Sequence, residues 1–221
     1  MAKITTTKPV LILPYGYPGS GKTYFSSQLG ENINVAHLSS EKLRYELNEK
    51  PTYSHQEDET IDRLMQYLAE EFLRAGASVI FDSNLSRIGQ RRQLQAIAKQ
   101  HHGVALVAWF QIDEESAFLR VAKRDRRKNE DKYAVPHDRS SFDDYIKRMQ
   151  NPKNEEYVVL SGKHTFNTQK SAVVKKMYEM GLISAESATS QVVKPGLVNL
   201  VPDRQLRAGR VDETRRNIVI R

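Results

Sequence analysis

The chain has 221 residues, with 34 Lys and Arg against 27 Asp and Glu, a formal net charge of +7, and no cysteine. At roughly 150 residues per domain, that length buries one sizeable core or slightly more. The absence of thiols excludes a disulfide scaffold, thiolate metal sites and thiol catalysis, and the expected location is a reducing cytoplasm.

Val10–Pro14 is a short continuous apolar run ending in a glycine-rich turn, the pattern of a buried parallel strand. A helix follows from Lys22 to Leu29. Asn34–Leu38 reads as a second strand, and Ser39 or Ser40 caps a helix through Leu43, Arg44 and Leu47. Ile61, Leu64, Met65, Leu68 and Phe72 recur at helical spacing, with Gly76 as the stop. Ala77–Phe81 is a third strand ending in Asp82, and Arg91–Gln100 a helix stopped by Gly103. Val104–Gln111 is a fourth strand, after which Asp113 caps a helix through Phe118, Leu119 and Ala122. Strands and helices alternating at this pitch predict an α/β fold around a parallel sheet. Beyond a charged loop over 129–138, the pattern predicts a helix near Phe142–Met149, a strand at Tyr157–Leu160 and a helix at Gln169–Met180.

After Gly181 the pattern weakens into a basic stretch punctuated by Pro195, Gly196, Pro202 and Gly209. Residues 191–221 hold seven basic and three acidic residues, so most of the net charge sits at the C-terminal end. The expected organisation is a main domain over 1–165 and a helix plus basic extension over 166–221. Such an extension suits an anionic partner. No run approaches the ~18 apolar residues of a membrane span, and no basic-then-apolar leader opens the chain, so no membrane partner is expected.

Gly16-Tyr17-Pro18-Gly19-Ser20-Gly21-Lys22-Thr23 fits G-x-x-x-x-G-K-[ST] between a predicted strand and a predicted helix. Glycines let the backbone wrap phosphates with its N–H groups turned inward, and the helix N-terminus adds positive potential. Gly16, Pro18, Gly19, Ser20, Gly21, Lys22 and Thr23 are therefore the candidate nucleotide-binding residues. Lys22 reaches the β/γ-phosphates, and Thr23 can ligate Mg²⁺. With no Asn-Lys-x-Asp guanine-reading motif, ATP is the expected nucleotide.

Glu41 and Arg44, one helical turn apart at the end of the second strand, share a face. A carboxylate there can take a proton from an acceptor hydroxyl, while the guanidinium holds a substrate anion. Asp82 ends the third strand and is a candidate for Mg²⁺, directly or through water, with Asn84 beside it for the acceptor. Arg120 and Arg124, four apart on one helix face, are candidates to cover the transferring phosphoryl group, while the other cations nearby read as a solvated face. The six histidines show no metal spacing; His37, inside an apolar strand, reads as a core residue, as do Trp109 and Phe110.

These elements resemble the AAA_33-like group of P-loop kinases that contains the bacteriophage-type polynucleotide 5′-hydroxyl kinases, and more distantly the zeta-toxin kinases. The likeness rests on G-Y-P-G-S-G-K-T, on E-x-x-R at Glu41 and Arg44, and on D-S-N-L at Asp82–Leu85 with Arg91-Arg92 following. It ends with R-x-x-K-R at Arg120–Arg124, leading to A-V-P at Ala134–Pro136. It covers about residues 8–150. The resemblance implies a P-loop NTPase three-layer fold with a helical lid, and an ATP- and Mg²⁺-dependent phosphotransferase. It further implies Lys22 and Thr23 on phosphates and metal, an acid at position 41 as general base, Arg44 on the acceptor, and Arg124, with Arg120, as the lid. The group usually carries Asp at the base position, where this chain has Glu41. The expected acceptor is a nucleic-acid 5′-hydroxyl or a nucleotide or small metabolite. A nucleotide-dependent nucleic-acid-binding module with little transfer is the alternative.

Overall fold

The computed structural model describes residues 3–125, 127, 132–135, 137–185, 187 and 188. The expected basic extension from 189 onward lies outside the described residues, as do Arg126, Lys128 and Pro136. Five strands, β1 (Val10–Tyr15), β2 (Val35–Ser39), β3 (Ser78–Asp82), β4 (Val104–Gln111) and β5 (Tyr157–Ser161), form one sheet in the order β2-β3-β1-β4-β5. Every pairing is parallel. The helices are α1 (Lys22–Asn32), α2 (Ser40–Leu47), α3 (His55–Arg74), α4 (Ile88–Gln100), α5 (Glu114–Ala122), α6 (Arg139–Arg148) and α7 (Phe166–Glu179).

Alternation along β1 explains the three layers. Val10 and Ile12 face one side, where Phe25 and Leu29 of α1 meet Val173, Val174 and Met177 of α7. Leu11 and Leu13 face the other, against Ile61, Met65, Ala69 and Leu73 of α3 and Leu94 and Ala98 of α4. Because both faces are covered, β1 has no exposed residue, which is why its sequence reads as an uninterrupted apolar run. A smaller cluster of Ala117, Val121 and Phe142 joins α5 to α6 and reaches Tyr17 of the loop after β1.

Predicted and observed elements differ mainly at their ends. Helix α3 begins at His55, where the Ser54 side chain accepts from the Glu57 N–H, a full turn and more before the apolar stripe shows itself. On its C-terminal turn Leu73 is buried and Phe72 is exposed, so the buried line runs Ile61, Met65, Ala69, Leu73 at strict four-residue spacing. Among the described residues, no helix is long and apolar enough to cross a membrane.

Candidate active site

The strands β1, β2 and β3 all end at one cleft of about 1240 Å³, the position where ligands collect in open parallel sheets. Residues 18–23, after β1, line it. Gly19 and Gly21 have φ of +80° and +98°, conformations that favour glycine, and a Cβ at Gly19 would strike the Ala117 carbonyl and the Val121 side chain of α5. Gly21 caps α1, so the first free N–H groups of that helix point into the cleft. The Lys22 ammonium donates to the carbonyls of Gly16 and Tyr17, both at 2.8 Å. Burial pulls its pKa down to about 8, opposed by Asp82 and assisted by Arg124.

Pro18, Ser20 and Thr23 line the same cleft, as do Glu41, Arg44, Asp82, Asn84, Arg120 and Arg124, so the structure brings the candidate residues into one space except Gly16, which lines a neighbouring pocket. Asp82 is buried at the end of β3 in register with Ser39 of β2. It acts electrostatically on both Lys22 and Glu41. His37 overturns its expected place in the core. It is half-buried in the cleft wall with its ring Nε2 3.4 Å from Asp82 Oδ2. The strand β2 is an edge strand with no fully buried residue, so an apolar stretch there does not mean an interior one. Asn84 is exposed and its Oδ1 accepts from the Ser86 N–H, shaping the turn after β3.

Ser39 caps α2, accepting from the Lys42 N–H, and this sets Glu41 in the first turn, facing the cleft. Glu41 Oε2 is buried and has no hydrogen-bond partner among the described residues. Burial pushes the carboxyl pKa up to about 7; Arg44 opposes this, while Asp58, Asp82 and Glu57 add to it. Arg44 is itself buried. Its guanidinium donates from Nη1 to Glu57 at 2.8 Å and from Nη2 to Asp58 at 2.6 Å, and its Nε lies 3.7 Å from Glu41 Oε2. Glu57 also accepts from Thr52 and the Tyr53 N–H; the Thr52 hydroxyl first, then Arg44 and the Thr52 N–H, hold its carboxyl down to about 2 against the effect of burial. Tyr53 stands in a left-handed backbone conformation, φ 54°, with the guanidinium 4.8 Å from its ring centre.

On the opposite side Arg120 donates to the Gly162 carbonyl and Arg124 to the Val135 carbonyl. His137 faces Arg124 and Lys22, and burial together with those two cations lowers its pKa. Beneath the cleft, Arg91 and Glu155 form a fully buried ion pair at 2.8 Å. Arg91 also donates to the carbonyls of Leu85 and Gln150 and lies 4.4 Å from the Tyr15 ring, fastening the loop after β3 to the last residue of β1.

Sequence reasoning missed Glu155, His37, Tyr53, Asp62 and His137. A half-buried histidine and isolated acids carry no motif, and pairings separated by 64 residues, as for Arg91 and Glu155, leave no local pattern.

A family model described as an AAA domain, AAA_33, matches residues 11–152. Kti12 of Chaetomium thermophilum, solved with ADP-AlF3, is similar with a TM-score of 0.57 and 19% identity over 79% of this chain and 100% of that one. The APS kinase CysC of Mycobacterium tuberculosis, solved with AMPPNP and APS, is similar with a TM-score of 0.55 and 16% identity over 77% and 98% of the two chains. A gluconokinase of Sinorhizobium meliloti 1021 gives 0.55 and 12% over 83% and 97%. At these identities the likeness shows the fold, that of the P-loop NTPases. No curated protein matches the chain.

Proposed function

The chain belongs to the AAA_33 family of AAA domains, and from that premise we propose that it is an ATP- and magnesium-dependent kinase that moves the γ-phosphoryl group of ATP onto a hydroxyl. The observation that carries this reading is the buried Oε2 of Glu41, without a hydrogen bond among the described residues, in the same cleft as Lys22 and the loop amides. A module that only bound nucleotide would have no use for a proton acceptor there.

The N–H groups of the loop and the α1 N-terminus bind the polyphosphate, and Lys22 neutralises its β/γ end. The acceptor oxygen bonds to the γ-phosphorus as the bond from that phosphorus to the β–γ bridging oxygen breaks. ADP leaves with the electron pair, and the hydroxyl proton passes to the Glu41 carboxylate. Arg120 and Arg124 face the transferring group from α5 and the turn after it, where donors aimed at developing charge stabilise the transition state. Arg44, anchored by Glu57 and Asp58, fixes the direction of Glu41.

The donor set fits magnesium: Thr23 offers a hydroxyl and Asp82 a carboxylate in one cleft, hard oxygens suited to an ion that keeps phosphate and water ligands. Among the described residues no cluster of three or more His, Cys, Asp or Glu competes as a closed metal site. When bound, magnesium supplies charge neutralisation across the β- and γ-phosphates.

Transfer from γ-labelled ATP to a panel of nucleosides, sugars and 5′-hydroxyl oligonucleotides tests the proposal. Label should appear in an acceptor with the native chain. Glu41→Gln should lower that transfer about 10²–10⁴-fold while ATP binds within about twofold of native. Equal turnover by Glu41→Gln removes the base assignment.

A further inference from the structure

The acceptor half of the cleft carries information about what it takes, and the inference rests on the kinase reading above. Arg44 sits on the base's own helix, where an arginine could hold an acceptor phosphate. Its two terminal nitrogens each donate an N–H to a carboxylate, Nη1 to Glu57 and Nη2 to Asp58, and Nε faces Glu41. Asp62, one turn beyond Asp58 on α3, adds another half-buried carboxylate to the same wall. A phosphate brought to this wall meets three cleft-lining carboxylates, Glu41, Asp58 and Asp62, with Glu57 behind them on Arg44, in a partly desolvated place where like charges repel more strongly than in water.

Aromatic rings complete the surface. Tyr53, Tyr133 and Tyr145 line the cleft. Tyr53 is held there at a positive φ, a conformation that costs free energy and persists because its N–H and that of Thr52 both donate to Glu57. Rings offer flat faces to sugar C–H groups or bases, and carboxylates accept hydrogen bonds from hydroxyls. Lys42, Arg87 and Arg148, cations that line this half, are exposed, where salt screens them, and Lys42 is paired with Glu46. The whole cleft exceeds the roughly 300–1,000 Å³ of a single small-molecule site, leaving room for a second small molecule beside a nucleotide.

We propose that the acceptor is an uncharged, polyhydroxylated small molecule, a sugar or a nucleoside, seated between the tyrosines and the α2–α3 carboxylates, and that this wall discriminates against phosphate-bearing acceptors.

Matched pairs differing by one phosphate decide it: adenosine against adenosine 3′-monophosphate, and glucose against glucose 1-phosphate, each with γ-labelled ATP and the full chain. The uncharged member of at least one pair should be used with a kcat/KM tenfold or more above its partner. The sugar and nucleoside arms separate the two sources of the shared chemistry. Asp62→Lys should shrink that ratio tenfold or more, and Asp62→Asn, the milder change, should shift it the same way if the lysine variant does not fold. Preference for the phosphate-bearing members, or a ratio indifferent to position 62, overturns this inference and leaves the kinase reading standing. Transfer to none of these molecules and to no oligonucleotide overturns both.

Discussion

The two halves of the cleft are built from different materials. The nucleotide half is mostly backbone: a glycine-bearing loop, the first turn of α1, and one lysine that bonds back to the loop's own carbonyls. The acceptor half is mostly side chain: Arg44, Glu57, Asp58 and Tyr53, gathered from α2, the segment after it and α3. Main-chain amides cannot be changed by substitution, so a site made of them is fixed by chain geometry and grips one chemical group, a polyphosphate. Side-chain walls can be rewritten residue by residue while the fold stands, so the proposed kinase would set its acceptor choice there.

The largest effect on ATP binding comes from the lysine of the nucleotide half. Lys22→Ala should lower phosphoryl transfer about 10²–10³-fold and weaken ATP binding in the same variant. Glu41→Gln, in contrast, should spare ATP binding. A Lys22→Ala protein that binds ATP as native does, measured by calorimetry, would break the separation of the halves.

The same contrast governs what could be read in the sequence. The nucleotide half is local: eight consecutive residues carry it, and the strand before and the helix after announce themselves by an apolar run and a cap. Helix caps at Ser39 and Asp113 and the alternation of strands and helices likewise gave the layers and the parallel sheet. The acceptor half was legible only in part. Glu41 and Arg44 stand out because they are one turn apart, but what holds Arg44 lies 13 and 14 residues away on a helix whose start the apolar stripe did not reveal. His37 was misplaced because hydrophobicity along a strand does not say whether that strand is an edge, and β2 is.

A second, smaller effect is in the pH profile. Burial acts on the halves with opposite sign: it raises the Glu41 carboxyl to about 7 and lowers the Lys22 ammonium to about 8, because in each case it disfavours the charged form. The proposed mechanism needs Glu41 ionised and Lys22 protonated. For the free protein kcat/KM should therefore form a narrow bell, falling about tenfold per pH unit below 7 and again above 8. Residual activity of Glu41→Gln should lack the acidic limb and keep the basic one. An acidic limb near the ordinary value of 4.5 would place Glu41 in a solvated setting and detach it from the buried contact with Arg44.

The smallest effect is on stability, and its sign runs against the loss of activity. The folded chain keeps Glu41 protonated up to about 7, whereas the unfolded chain releases that proton near 4.5. Between those values the native state binds more protons than the unfolded one, so stability falls as pH rises through the window. Above it, the fold carries a buried carboxylate that Arg44, shared with Glu57 and Asp58, compensates only in part. Glu41→Gln removes that charge at nearly constant volume and should stabilise the chain by about 1–3 kcal/mol at pH 8, with little change below pH 4.5. Thermal unfolding of both proteins at the two ends of the window measures the difference directly. A variant that is inactive yet melts higher only at the alkaline end would show that position 41 is held against its own solvation for the sake of proton transfer. Equal melting at both ends would return Glu41 to the status of an ordinary residue in the first turn of a helix.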